Sequence, residues 1–188
     1  MKQLPPVQHE LALKALAWES KRGTFVSPSH NEFAWSRDGL VTAKCPWHKS
    51  ADGMEDDTNS DEYIPSNDHC GMYVSFRWGV IEGYMYRSVS SAVFLVEGYG
   101  KLIVSTDGFR AAQLLLRAVC IDKSIPQIQR LAGMQASRYF DIPTIEKEPM
   151  LIAMDIQNTK LHRDWYEPES RYMKHLPVEQ VTGLLEKV

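Results

Sequence analysis

Long apolar runs are missing from this chain. The longest, Ala92-Val93-Phe94-Leu95-Val96, has the length of a buried strand and falls well short of the about 20 residues that a membrane-crossing helix needs. No charged leader followed by an apolar stretch opens the sequence, so the expectation is a protein that stays in the compartment where it is made, without membrane contact. Cysteine is scarce: three widely spaced residues in 188. An odd, sparse set excludes a disulfide framework as the main staple and favours a reducing cytoplasm. Charge of one sign is not in excess either. The 21 Lys and Arg against 24 Asp and Glu leave a net charge of -3, which argues against a dedicated nucleic-acid binder. Familiar catalytic signatures are absent as well. There is no Gly-x-Ser-x-Gly elbow, no Gly-x-Gly-x-x-Gly, no Gly-Lys-Ser/Thr phosphate loop, and His9-Glu10 lacks the second His of a zinc protease motif.

What is present suits a single globular domain. The chain is 44% hydrophobic and 24% charged, enough to bury a core. Its charge is unevenly spread. Seven acids (Asp52, Glu55, Asp56, Asp57, Asp61, Glu62, Asp68) lie between Lys49 and Arg77 with no Lys or Arg among them. With those seven set aside from the 24, 17 acids face 21 basic residues, so the remainder is mildly basic and permits a local cationic patch.

Periodicity supplies the elements. Val7, Leu11, Ala15 and Trp18 recur at helical spacing and predict a helix over 6–20, with Pro5 and Pro6 at its start and Gly23 beyond its end. Asp38-Gly39 between Phe33-Ala34-Trp35 and Leu40-Val41-Thr42-Ala43 predicts a hairpin. The polar segment 49–68 reads as a long surface loop. From 71 to 105 the chain is aromatic and β-branched, predicting strands over 72–76, 78–80, 93–96 and 102–104, the last two joined by a Gly-containing turn or bulge. Thr106-Asp107 offers a cap for a helix over 109–119, and Ser124 with Gln127 a capping box for a second helix that Asp141-Ile142-Pro143 stops. Beyond Pro143 the signals weaken to an edge strand over 151–156 and a terminal helix over 177–188. The chain divides into an α+β domain over 1–143 and a less regular C-terminal segment, 144–188, packed on it.

The sharpest chemistry lies in two clusters. Cys45 and His48 have a metal-ligand spacing, and His69 and Cys70 could complete a tetrahedral zinc set. Adjacency works against the second pair, because neighbouring side chains of an extended segment point to opposite faces. Buried thiols behaving as small hydrophobes and surface histidines are the competing reading, and the favoured one. Asp57, Asn59 and Asp61 occupy the first, third and fifth positions of a calcium loop, but Glu62 stands where Gly makes its turn. A solvated acidic loop is the preferred reading. His69 beside Cys70 also fails as a nucleophile and base, which normally come together from distant parts of a chain. Trp78, Tyr84 and Tyr86, flanked by Arg77 and Arg87, could stack on bases or on a protein surface; packing within a sheet is the competing reading.

The order of several short motifs resembles a widespread group of small, largely uncharacterised proteins of actinobacteria and their phages. That group carries an upstream Cys, a Cys-x-Cys-Gly-Ile-Tyr-Ala segment, a Val-x-Gly-x-Val-x-x-Trp-Gly strand, a Gly-Tyr-Arg-Ala helix start and a Leu-Ala…Arg-Tyr-Gly-Val-Pro helix end. Here Cys45, Cys70-Gly71-Met72-Tyr73, Val93 to Gly100, Gly108-Phe109-Arg110-Ala111, and Leu131-Ala132 with Arg138 to Pro143 are similar to these in order. Asp68 replaces the first Cys of Cys-x-Cys. The resemblance implies an α+β fold and a bacterial or phage cytoplasmic origin, and brings no established activity.

The resulting expectation is a single α+β domain, an antiparallel sheet with helices packed on one face. Its expected function is non-enzymatic: a cytoplasmic binding or regulatory protein, phage-encoded, that contacts a host or other cellular protein. The candidate contacts are Asp52, Glu55, Asp56, Asp57, Asp61, Glu62, Trp78, Tyr84 and Tyr86. The alternatives are a nucleic-acid-associated accessory protein and a zinc-stabilised module or metal-dependent enzyme. No cofactor is expected; zinc at Cys45, His48, His69 and Cys70 is the alternative.

Overall fold

The computed structural model describes residues 10–27, 34–42, 72–104 and 107–161. They form seven strands and three helices. In chain order these are β1 (Glu10–Glu19), β2 (Thr24–Val26), β3 (Leu40–Thr42), β4 (Met72–Ser75), α1 (Trp78–Met85), β5 (Ser91–Val104), β6 (Gly108–Cys120), α2 (Gln127–Phe140), β7 (Thr144–Ile145) and α3 (Pro149–Leu161). The chain is an α+β domain, and its sheet is antiparallel throughout except where β7 joins β6 in parallel.

The longest pairing is the β5–β6 hairpin, in which Val93 lies opposite Cys120 and Val104 opposite Phe109. β1 pairs with β5 from Glu10↔Gly98 to Ala17↔Ser91. β4 pairs with β6 from Met72↔Ala111 to Ser75↔Gly108, and Leu13↔Ser75 links β4 back to β1. The ladder β1–β5–β6–β4 therefore returns to β1 and closes a small ring, which leaves those strands few free edges. Gly108 makes the β4–β6 join achievable. A Cβ there would lie 1.9 Å from the Val74 carbonyl oxygen.

Two expected helices are strands, for one physical reason. In β1, Leu11 to Ala17 are all buried, and in β6 the buried Leu114, Leu116, Ala118 and Cys120 alternate with half-buried Gln113, Leu115 and Arg117. Runs whose only polar residues are Lys14 in β1 and Arg110, Gln113 and Arg117 in β6 satisfy helical and strand spacing alike, so long-range pairing decides the outcome. The 93–96 and 102–104 runs are one strand: β5 passes through Gly98 and Tyr99 with a register shift between Tyr99 and Leu102 where a turn was expected. Trp78-Gly79-Val80 opens α1 instead of forming a strand, and 151–156 lies in α3.

The Asp38-Gly39 turn is present without its hairpin. Asp38 Oδ1 accepts the Leu40 amide at 3.0 Å and Gly39 has φ 75°, but β3 pairs with β6 while Ala34 bridges Val26. Helix α2 is the amphipathic element the spacing predicts, though it starts at Gln127 with Pro126 as an N-cap that makes no side-chain bond, so no capping box forms.

Helix α2 buries Gln129, Ala132, Gly133, Ala136 and Phe140. Phe140 meets Phe25 at 5.4 Å and Phe94 at 6.0 Å between ring centroids, and Trp18 meets Phe25 at 5.3 Å. Burial of each such ring contributes about 2–3 kcal/mol. Gln129 Nε2 donates to the Met85 carbonyl at 2.9 Å, setting α1 beside α2, and Gln157 Nε2 of α3 donates to the Phe76 carbonyl at 2.9 Å.

Candidate functional site

The closed ring leaves one stretch of β1 uncovered. Its second edge is taken by β2 at Ala17–Glu19 and by β4 at Leu13. Between them, at Lys14 to Leu16, no strand among the described residues pairs with it. A cleft of about 450 Å³ opens at that gap, in the size range of small-ligand sites. Strand β1 supplies Lys14 and Ala15, β4 supplies Tyr73 to Ser75, α1 supplies Val80, Ile81 and Tyr84, and the start of β6 supplies Gly108 to Arg110 with Asp107 ahead of it.

Lys14 is the unusual member. It sits in the middle of a buried strand opposite Phe94 and is only 8% exposed. Its Nζ donates to the Tyr73 carbonyl at 2.7 Å. No carboxylate among the described residues pairs with it, and burial lowers its pKa from 10.5 to about 8 because a desolvated ammonium is disfavoured against the neutral amine. A buried lysine ordinarily has an ionic partner. This one has a cleft.

The walls are built from short-range order. Ser75 Oγ donates to the Asp107 carbonyl at 2.8 Å and accepts the Arg77 amide at 3.0 Å, so one hydroxyl ties the end of β4 to the start of β6 and turns the chain into α1. Arg77 and Asp107 close that corner with an ion pair at 2.6 Å. Tyr73 lies opposite Arg110 in the β4–β6 ladder, and the Arg110 guanidinium sits 5.5 Å from the Tyr73 ring centroid. Across the cleft, the Arg87 guanidinium sits 4.9 Å from the ring of Tyr84. Among the described residues the lining carries two cations, Lys14 and Arg110, and one carboxylate, Asp107, which is paired with Arg77.

A second polar cluster joins β5 to β6. Glu97, buried on β5, pairs with Arg117 at 2.8 Å and accepts the Tyr99 hydroxyl at 2.7 Å. Burial and the Glu97 carboxylate push the Tyr99 phenol far above its usual pKa.

The family models, curated proteins and solved structures contain no significant match to this chain.

Of the residues singled out from the sequence, Tyr84 lines the cleft. Trp78 packs half-buried against the core, and Tyr86, 76% exposed, points away at the end of α1 with its hydroxyl 3.5 Å from Glu82. The three aromatics do not converge on one surface. Asp52, Glu55, Asp56, Asp57, Asp61 and Glu62 lie outside the described residues, as do Cys45, His48, His69 and Cys70. The sequence reading missed Lys14, Tyr73, Ser75, Asp107 and Arg110. One signal was available: a lone lysine inside Leu11-Ala12-Leu13-Lys14-Ala15-Leu16-Ala17-Trp18. Read as a helix, that run puts Lys14 on the same face as Val7, Leu11 and Trp18, a charge within the apolar stripe.

Proposed function

We propose that this chain is a non-enzymatic binding protein whose ligand seat is the cleft at the gap in β1, and that it takes a small organic carboxylate there. The observation that carries the reading is the Lys14 amine, desolvated, with no ionic partner among the described residues and opening onto a cleft of ligand size. A carboxylate beside it would supply a counter-charge, and charge-assisted hydrogen bonds are the strong kind. Arg110 gives the wall a second cation, and Tyr73 and Tyr84 give it apolar faces for a short carbon skeleton. The test is calorimetric titration of the chain with lactate, chosen as a small carboxylate. Saturable binding that Lys14→Met abolishes supports the reading. No binding by lactate, acetate or succinate at millimolar concentration refutes it.

A protein partner is the second reading, favoured by the outward apolar surface around α1, where Val80, Tyr86 and Val89 are exposed. A cytoplasmic location, with no helix among the described residues long and apolar enough to cross a membrane, belongs to both readings. Tyr86→Ser combined with Val89→Ser should release a captured protein partner and leave lactate binding intact.

A further inference from the structure

The amine that accepts an anion in this cleft also has the surroundings of a covalent one. We propose that Lys14 Nζ condenses with the carbonyl carbon of a small 2-oxo carboxylate seated in the cleft, holding it as a reversible imine. The inference rests on the binding reading above and names the ligand class for the same site.

Three features of the geometry support it. As a neutral amine, Nζ can keep its bond to the Tyr73 carbonyl with one hydrogen, leaving its lone pair for attack. The strand holds the amine in place, because Lys14 is locked between Leu13, paired on both sides, and Ala15, paired with Val93. The second cation of the lining, Arg110, stands directly across the ladder from Tyr73, the residue whose carbonyl holds the amine. Lys14 and Arg110 line the same cleft, so a ligand with a carboxylate next to its carbonyl carbon has a partner there for each group.

Among the described residues, the titratable and charged groups facing the cleft are Tyr73 on β4, Tyr84 on α1, and Asp107 and Arg110 at β6, and the Asp107 carboxylate is engaged by Arg77. The neighbours from β5 on the Lys14 position are apolar, Phe94 directly opposite and Val93 and Leu95 beside it. Burial lowers the Lys14 pKa to about 8, so a usable fraction of free amine exists near neutral pH.

The chemistry balances without a further reactant. The lone pair forms the C–N bond and the carbonyl oxygen takes up a proton. The carbinolamine then loses its hydroxyl with a proton as one water, leaving the protonated imine. Hydrolysis runs the same steps backward and returns the 2-oxo acid and the free lysine unchanged.

The experiment uses the full chain, pyruvate as probe and sodium cyanoborohydride to reduce any imine to a stable secondary amine, with peptide mapping by mass spectrometry at pH 7.5. Lys14 should acquire one reduced pyruvate about tenfold faster than Lys123 or Lys147, because the cleft holds the carbonyl carbon beside its amine. Excess lactate, which has no carbonyl, should slow labelling at Lys14 and leave Lys123 unaffected. Lys14→Arg should keep a cation in the cleft and show no labelling at position 14. Labelling of Lys14 no faster than of Lys123, or fast labelling that lactate does not slow, overturns the inference. If lactate still binds by calorimetry while Lys14 labels slowly, the covalent step fails and the binding reading stands. If lactate does not bind, both fail.

Discussion

Lys14→Met should stabilise the protein at neutral pH, and the gain should disappear as the pH rises. Burial lowers the amine from 10.5 to about 8, which at 1.36 kcal/mol per decade corresponds to an ammonium penalty of about 3 kcal/mol below pH 8. The Met side chain has similar length and no charge, but leaves the Tyr73 carbonyl without its donor, a loss of about 1 kcal/mol. The net expectation at pH 7 is a variant more stable than the parent by about 2 kcal/mol. The sign with pH follows from proton counting. Between pH 8 and 10.5 the unfolded chain binds more protons at Lys14 than the folded chain. The parent's stability measured against the variant therefore rises through that window, by about 2 kcal/mol between pH 7 and pH 9.5. Urea unfolding of both proteins at the two pH values measures it, because all other titrations cancel in the difference. A parent-to-variant difference that does not change between pH 7 and 9.5 would refute the claim that Lys14 is a desolvated amine.

Other positions give independent expectations. Gly108→Ala places a Cβ 1.9 Å from the Val74 carbonyl oxygen, so it should lower stability by about 3 kcal/mol in urea unfolding and open the β4–β6 join. Asp141 ends α2 in the left-handed region at φ 54°, and Asp141→Gly should raise stability by about 0.5 kcal/mol, read as a higher urea midpoint. The buried Cys120 thiol is pushed up to about 12 by burial and by Asp122; peptide mapping should find it unmodified by iodoacetamide at pH 8 in native buffer and fully modified in urea. Arg117→Leu removes the guanidinium that pairs with the buried Glu97 carboxylate at 2.8 Å, so stability at pH 7 should fall by about 3 kcal/mol in urea unfolding.

The amino-acid pattern reveals the fold class and the existence of α2 but not its buried face: Ile128 and Leu131, at helical spacing, lie outward while Ala132, Ala136 and Phe140 face the sheet. It reveals β4 through its alternation, with Met72 and Val74 inward and Tyr73 outward. The pattern fails where polar residues are sparse or fall at a misleading spacing. Leu11 to Ala17 has a single polar residue, Lys14, and in Phe109 to Cys120 the polar Arg110, Gln113 and Arg117 recur at helical spacing, so only their partners across the ladder make them strands. The cleft was hidden for a related reason. Lys14, Tyr73, Asp107 and Arg110 are as much as 96 positions apart and become neighbours through ring closure at Leu13↔Ser75, a single register pair that no local signal announces. Tyr84 alone was legible, as an aromatic beside Arg87.

The central claim is that the Lys14 amine at the gap in β1 is the ligand seat, and the direct measurement is its own titration. In protein carrying isotope-labelled lysine, the Lys14 side-chain resonance should titrate near pH 8 without ligand. Saturating lactate should move that midpoint upward by about one pH unit or more, as a carboxylate favours the ammonium. A Lys14 resonance whose midpoint lactate leaves unchanged would contradict the account.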